Sequence, residues 1–434
     1  MKRLMLAVFG TLIIYACATQ REVKLNELSD VERIIKNLSA DEMQGRATFS
    51  PGIEKAAAFI ENEFKQIGLK SLSNESSFRQ QFTMRVIKPG SQTVILNDSP
   101  VDPENIIVLS DRAKINWAAN DAKIIQIKPG ETFFDRYRRI LQTEINALVL
   151  VDEQYADAFK RLRENSRLQR IAGDRDETTA IVFVLTDEES LSSYSISATN
   201  FIEDAPLFNI AGILKGKTKP DEYVIFSAHY DHMGILKPVA GDSIANGADD
   251  DASGITAVIT LAKHFKKLNN NERSLIFVAF TAEEIGGFGS KYFSERLNPD
   301  QVVAMFNIEM IGKDSKFGPN TAFITGYDRS DFGSILQQNL EGSAFKFYPD
   351  PYPEQDLFYR SDNATLAALG VPAHTISTDQ IDNDKLYHTV DDEFESLNME
   401  NIYATIQAIA LSSRSIVSGT DTPRRIPRTQ LYGK

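Results

Sequence analysis

The chain has 434 residues, 42% of them apolar and 25% charged, with 47 basic against 60 acidic side chains and a formal net charge of −13. This length allows two or three domains, and the composition excludes a wholly disordered chain and a disulfide mini-scaffold. The acidic balance argues against sequence-independent nucleic-acid binding, which needs clustered positive charge. The single cysteine, Cys17, permits neither an intrachain disulfide nor a CxxC metal site.

Lys2 and Arg3 precede an apolar run, Leu4 to Ala16, too short to span a bilayer as a mature helix. A basic start, a short apolar stretch and small residues near its end predict a signal peptide over residues 1–16. Cys17 directly after Ile14, Tyr15 and Ala16 resembles a bacterial lipoprotein signal, in which the cysteine becomes the lipidated first mature residue. An ordinary cleaved signal with an incidental cysteine is the alternative. Either way the expected location is outside the cytoplasm, periplasmic or at the cell surface, with a lipid anchor at Cys17 as the favoured form. Removing residues 1–16 takes Lys2 and Arg3 away and moves the net charge from −13 to −15.

Residues 29–69 read as helical with a sharp stop. Ala56, Phe59, Ile60, Phe64 and Ile67 follow helical spacing, Pro51 and Gly52 sit before the start, and Gly68 sits at the end. Around Ser91 the texture changes to short β-like runs, Thr93–Leu96, Ile106–Leu109 and Lys123–Ile127, among Pro and Gly turns. A helical stretch near Phe133–Thr143 and apolar strands Ala147–Val151 and Ala180–Leu185 follow. Residues 90–204 hold the only tryptophan, Trp117, but no cluster of metal-ligand residue types, so they are expected to form an inserted β-rich domain without chemistry of its own.

From Asn209 onward, uninterrupted apolar strands alternate with helices. Tyr223–Ala228, Ser274–Thr281, Val302–Ile308 and Val371–Ser377 read as buried strands, and Gly254–Leu268 as a helix with Ile255, Val258, Leu261, Ala262, Phe265 and Leu268 along one face. Such a pattern predicts an α/β domain with three layers, a mixed and largely parallel central sheet covered on both faces. The expected limits are 17–89 and 205–418 for this domain, 90–204 for the insert, and 419–434 for a flexible tail.

Polar residues follow the strands, where such folds place their sites. Ala228 runs into His229-Tyr230-Asp231-His232, Thr281 into Ala282-Glu283-Glu284, and Ile308 into Glu309. Gly247-Ala248-Asp249-Asp250-Asp251-Ala252-Ser253 precedes the helix at Gly254, and Tyr387-His388-Thr389 follows the last strand. Asp-rich runs are often solvated turns, and Glu-Glu pairs are usually surface; their recurrence at successive strand ends is not explained that way. Imidazole and carboxylate without thiolate suit zinc at a catalytic site. Two imidazoles and three carboxylates suffice for two metals if one carboxylate bridges, and a further carboxylate beside them can act as general base.

The ordered set resembles the co-catalytic zinc exopeptidases, a family that includes secreted bacterial aminopeptidases and, more distantly, glutamate carboxypeptidase. The matching motifs are Ser227-Ala228-His229-Tyr230-Asp231-His232-Met233-Gly234, the run Gly247 to Gly254, Phe280-Thr281-Ala282-Glu283-Glu284, and Asn307-Ile308-Glu309-Met310-Ile311-Gly312. Ser361-Asp362-Asn363, Gly370-Val371-Pro372, Tyr387-His388-Thr389 and an upstream segment, Leu38 to Arg46, complete it. The insert resembles a protease-associated domain in its position and β-rich texture.

The resemblance implies that Asp250 bridges two zinc ions, with His229 and Glu309 completing one site and Glu284 and His388 the other. It implies Glu283 as general base. Asp231 would accept the second ring N–H of His229, and the Asp250–Asp251 peptide bond is often cis in this family. Asp249 and Asp251 would be local supports. Glu309 stands where many members carry Asp; it is one methylene longer and equally able to bind zinc. Asn363 stands where relatives often carry His.

Outside this set, His264 is expected to be solvated, His374 to be a satisfied structural histidine, and His232 to lie near the metals without binding them. Tyr387 lines the substrate pocket or packs. The aromatic stretch Phe345–Tyr359, with Tyr348, Tyr352, Phe358 and Tyr359, walls a pocket or packs as a loop. The implied activity is release of amino-terminal residues from peptide substrates by a metal-bridging water and Glu283. The alternatives are a carboxypeptidase, dipeptidase or one-zinc glutaminyl cyclase on the same fold, or a metal-free binding lipoprotein.

Overall fold

The computed structural model describes residues 28–72, 77–167, 169–172 and 179–429. The signal peptide and Cys17 lie outside the described residues. The chain divides into two compact units, residues 1–79 with 209–434, and residues 80–208.

In the first unit the expected helical span 29–69 is two helices, Leu28–Leu38 and Pro51–Ile67, separated by a 3₁₀ segment Asp41–Arg46. Ser50 caps the second helix by accepting from the Ile53 N–H, Pro51 occupies its first turn, and Gly68 ends it at φ 76°.

The sheet of this unit runs in the order Lys346–Pro349, Thr321–Ile324, Ala373–Ser377, Val302–Ile308, Lys219–His229, Arg273–Phe280, then the 210–214 stretch of the strand Tyr194–Leu214. The four central strands are parallel. Thr321–Ile324 and the 210–214 stretch pair antiparallel to their inner neighbours, so the sheet is mixed. All residues of Arg273–Phe280, Val302–Ile308 and Ala373–Ser377 are buried, which explains their unbroken apolar sequence.

Alternate side chains of these strands build two cores. On one face Phe226 stacks with Phe277, Phe306 and Phe265 of the helix Gly254–Leu268, at centroid distances of 5.5, 4.9 and 5.5 Å. On the other, Ile225, Ile276, Val278 and Met305 pack against Phe293, Leu366 and Ala367 of other helices. Helices therefore cover the sheet on both faces.

The second unit begins at Gln80 and ends at Phe208, outside the expected limits of 90 and 204. The change of texture near Ser91 falls inside one continuous strand, Arg79–Leu96, so it marks no boundary. The unit is also less purely β than its sequence suggested. Strands Lys123–Ile127, Ala147–Val151 and Ala180–Leu185 are parallel neighbours linked through helices Phe133–Leu141 and Ala156–Ser166, with Ile106–Ser110 antiparallel at one edge.

Two further expectations are corrected. The tail is not free from residue 419: Ile426 is buried in the core, its N–H donates to Gly370 O, and Arg425 reaches Val302 O at 2.8 Å. Pro423 is buried as well, and the Thr429 N–H donates to Ala368 O. His264 is buried rather than solvated, and burial pushes its pKa down to about 4. Helical spacing placed it between core positions, but the whole inner half of the Gly254–Leu268 helix is enclosed.

Candidate metal centre

Each candidate ligand enters at the carboxyl end of a strand or in the loop before a helix. His229 is the last residue of Lys219–His229; Glu283 and Glu284 follow Arg273–Phe280, and Glu309 follows Val302–Ile308. The loop carrying Asp250 is forced against this edge. A Cβ on Gly254 would lie 2.2 Å from Ile308 O, and one on Gly247 2.5 Å from His232 Cδ2. Only glycine allows the loop so close. The Asp250–Asp251 peptide bond is cis.

The donors converge on Asp250. Its Oδ1 lies 3.1 Å from His229 Nε2 and its Oδ2 3.3 Å from His388 Nε2, so two imidazoles address the two oxygens of one buried carboxylate. Glu284 Oε2 lies 3.0 Å from the same His388 nitrogen. His229, Asp250 and Glu284 each bring a ligand atom within 4.8 Å of the others. Tetrahedral zinc with bonds of about 2.0 Å separates neighbouring ligand atoms by roughly 3.3 Å, so these spacings match the edge of a coordination shell. Glu309 and Glu283 line the same cleft as Asp250, Glu284 and His388. Glu309 Oε2 is buried without a hydrogen-bond partner among the described residues. The residues present therefore fit zinc.

Their proton affinities also call for a cation. Burial pushes Glu309 up to about 7. Burial opposes the charged form of His388, yet hydrogen bonds to Asp250 and Glu284 outweigh it and raise this histidine to about 10. The same histidine contacts, with His229, hold Asp250 well below the usual carboxylate range against its own burial. Without metal the site thus binds protons at positions where a cation would replace them.

The expected supports are present. Asp231 was expected to accept the second ring N–H of His229; its backbone oxygen faces the ring Nδ1 at 3.1 Å, while its carboxylate lies 3.9 Å away. The backbone turn presents the nearer acceptor. The Asp231 carboxylate is engaged elsewhere, accepting the N–H of Glu283 at 3.1 Å and of Glu284 at 3.3 Å. It therefore fixes the turn that carries both glutamates. Asp251 accepts from the N–H groups of His229, Gly254 and Met310, and Asp249 from that of Gly312. His232, not expected among the ligands, places Nδ1 2.8 Å from Glu284 Oε1.

Of the remaining expectations, His374 is buried with Nε2 at Ser330 Oγ and Nδ1 at Thr325 O, both 2.8 Å, a satisfied core histidine. Tyr387 lines the cleft and stacks on His388 at 3.8 Å. Tyr348 stacks on Phe317 instead, Phe358 joins the core, and the cleft takes Leu357 and Arg360 from this region. Asn363 is buried and donates to Phe358 O and Ala373 O.

Sequence reasoning missed three residues. Arg46 is buried and donates to the backbone oxygens of Tyr230, Leu38, Asn246, Gly247 and Asp250, clamping the loop of the proposed bridging ligand. Asp392 accepts the N–H of Asp249 and of Asp250. Asp379 lines the cleft. Arg46 lay inside a matching motif, but the carbonyls of its loop partners are about 200 residues away in the chain.

Residues 209–412 match Peptidase family M28. A probable zinc metalloprotease of Pyrenophora tritici-repentis is 30% identical over 128 residues, 29% of this chain and 29% of that relative. Aminopeptidase YwaD of Bacillus subtilis is 31% identical over 108 residues, 24% of this chain and 22% of the relative. The chain spans less than a third of the length of the curated relatives it matches. Among solved structures, an aminopeptidase from Aneurinibacillus sp. strain AM-1 superposes with a TM-score of 0.58 at 19% identity, covering 95% of this chain and 98% of that one. BSAP, a zinc aminopeptidase from Bacillus subtilis, gives 0.56 at 15% identity over 93% and 98%. These two likenesses establish the fold.

Proposed function

We propose, from the premise that residues 209–412 belong to Peptidase family M28, that this chain is a zinc-dependent exopeptidase releasing amino-terminal residues from peptides. The observation that carries the reading is the Asp250 carboxylate, addressed on its two oxygens by His229 and His388. In this reading His229, Asp250 and Glu309 hold one zinc, and His388, Glu284 and Asp250 a second. Bound there, the ions supply Lewis acidity to the scissile carbonyl and lower the pKa of the attacking water.

The protein's own groups then move the proton. Glu283 lines the cleft beside these residues and takes the proton from the water, then passes it to the leaving amine. Asp231 keeps the Glu283-Glu284 turn in register through both N–H groups. Arg46 and Asp392 hold the Asp250 loop from its carbonyl and amide sides. We place this work outside the cytoplasm, after export by residues 1–16 and tethering at Cys17. No helix among the described residues is long and apolar enough to cross a membrane.

The test is metal content per chain on protein lacking residues 1–16, read with hydrolysis of free and N-blocked aminoacyl substrates. Two zincs with cleavage of only the unblocked set is the expected result. One zinc would point to a cyclase, and cleavage of the blocked set to another peptidase class. No metal and no turnover would overturn the reading. Asp250→Ala is expected to lose both zincs; a variant that keeps both has no bridging carboxylate at this position.

A further inference from the structure

We infer that Asp379 makes the cleft a subsite for a cationic substrate side chain, of the lysine or arginine type. This rests on the peptidase reading above and names a substrate class for the same site.

The strand register sets the position. Ile308 pairs with Ile376 in the parallel ladder, the Glu309 N–H donates to Ile376 O, and the Thr378 N–H donates to Met310 O. The two chains thus continue side by side past their strand ends, one carrying Glu309 and the other reaching Asp379, and both residues line one cleft.

Asp379 is 5% exposed, its N–H is held by Ser377 Oγ at 3.1 Å, and its Oδ1 has no hydrogen-bond partner among the described residues. Around it the cleft is lined by Phe323, Leu357 and Ile381, with the hydroxyl groups of Thr325 and Ser377. A buried carboxylate among apolar walls is costly unless a partner arrives.

The charge around Asp379 shows which partner is missing. Asp249, Asp379 and Asp384 bring carboxylate oxygens within 4.8 Å of one another. Lys313 answers two of them, at 2.6 Å from Asp384 and 3.4 Å from Asp249. Burial, then the Asp249 and Asp384 carboxylates and a side-chain hydrogen bond shared with Asp384, push Asp379 up to about 8 against the opposing charge of Lys313, the direction expected where negative charge exceeds positive. Arg360, which lines the cleft, is exposed and reaches Gln355 Oε1. A long substrate side chain ending in an ammonium or guanidinium group would lay its methylenes on Phe323, Leu357 and Ile381 and bring its charge to Oδ1. A norleucine side chain would fill the same walls and leave that oxygen unpaired, the arrangement that discriminates most strongly.

The test compares lysyl, arginyl and norleucyl anilides on zinc-loaded wild-type protein and on Asp379→Asn. The wild type is expected to prefer lysyl over norleucyl anilide by at least about 10-fold in kcat/KM, and Asp379→Asn to lower that ratio by about 10–100-fold. Asp379→Leu is expected to turn the ratio in favour of norleucine, a reversal that misfolding cannot produce. A wild-type preference for norleucine, or a ratio that stays within about threefold in both variants, would overturn the proposal. If no anilide is cleaved, the peptidase reading fails and binding decides the subsite separately. Calorimetry with L-lysinamide and L-norleucinamide then supports Asp379 if lysinamide binds tighter to the wild type and loses that advantage in Asp379→Asn. Equal binding overturns it.

Discussion

The two units each contain parallel apolar strands joined through helices, yet their strand ends differ in kind. After Ile127, Val151 and Leu185 the chain turns through Lys128-Pro129, Asp152 and Thr186. There the polar side chains serve the local backbone: Asp152 accepts from the Gln154 N–H at 3.0 Å, and Thr186 Oγ1 from the Glu188 N–H at 3.2 Å. After His229, Phe280 and Ile308 the polar side chains are held by others instead, and they face one another. Asp231 and Asp251 take up the backbone amides, which leaves Asp250, Glu284 and Glu309 to point into the cleft. Parallel strand ends by themselves make no site. A site arises where neighbours relieve the ligating groups of structural work.

That contrast can be broken at several points. The largest effect is expected from Glu283→Gln, which removes only the proton acceptor and should lower kcat by about 10²–10⁴-fold while zinc content stays at the wild-type value. Steady-state kinetics beside metal analysis checks it, and full activity in the variant would remove Glu283 from the mechanism. Arg46→Met is expected next. It strips donors from five buried carbonyls and should cost about 2–4 kcal/mol in chemical denaturation. It should also weaken zinc retention against a chelator, because the Asp250 loop loses its clamp.

A smaller effect concerns pH. Burial pushes His374 down to about 4 from its ordinary 6.5. A neutral buried histidine stabilises the fold fully above 6.5, and that contribution is lost as pH falls toward 4, where the unfolded chain binds the proton first. The loss is at most about 3 kcal/mol. Denaturation of metal-free protein at pH 7 and 4.5 should show a steeper decline in the wild type than in His374→Gln; equal slopes would rule this histidine out as a cause. The smallest effect is expected from the other unit. Asp152→Ala removes a cap and should cost about 0.5–1 kcal/mol with kcat/KM unaffected, whereas a loss of activity would show that its strand ends take part after all.

Much of the site was legible because its parts sit at places that local sequence marks. An unbroken apolar run ending in His229 or Glu309 announces both the strand and the residue that leaves it. The same logic gave the helix Gly254–Leu268 and the strand Val302–Ile308 at their observed limits. It failed for Thr321–Ile324 and Lys346–Pro349, four residues each and too short to show a period. It failed again at Ser91, where a change of texture lies within one strand, and at the tail, where Ile426 and Arg425 reach Gly370 and Val302, partners far away in the chain.

Chain order and residue type by themselves determined the alternating α/β plan, the oxygen- and nitrogen-rich donor set, and the carboxyl edge at which those donors collect. Periodicity and strand ends are local properties, so they survive without coordinates. Tertiary structure alone decided which groups support the donors. Arg46 reaches carbonyls up to 204 residues away, Asp392 accepts from amides 142 and 143 residues distant, and His229 turns to the backbone oxygen of Asp231 rather than its carboxylate. Those choices follow from which buried donor finds an acceptor once the sheet has assembled, and no linear spacing encodes that competition.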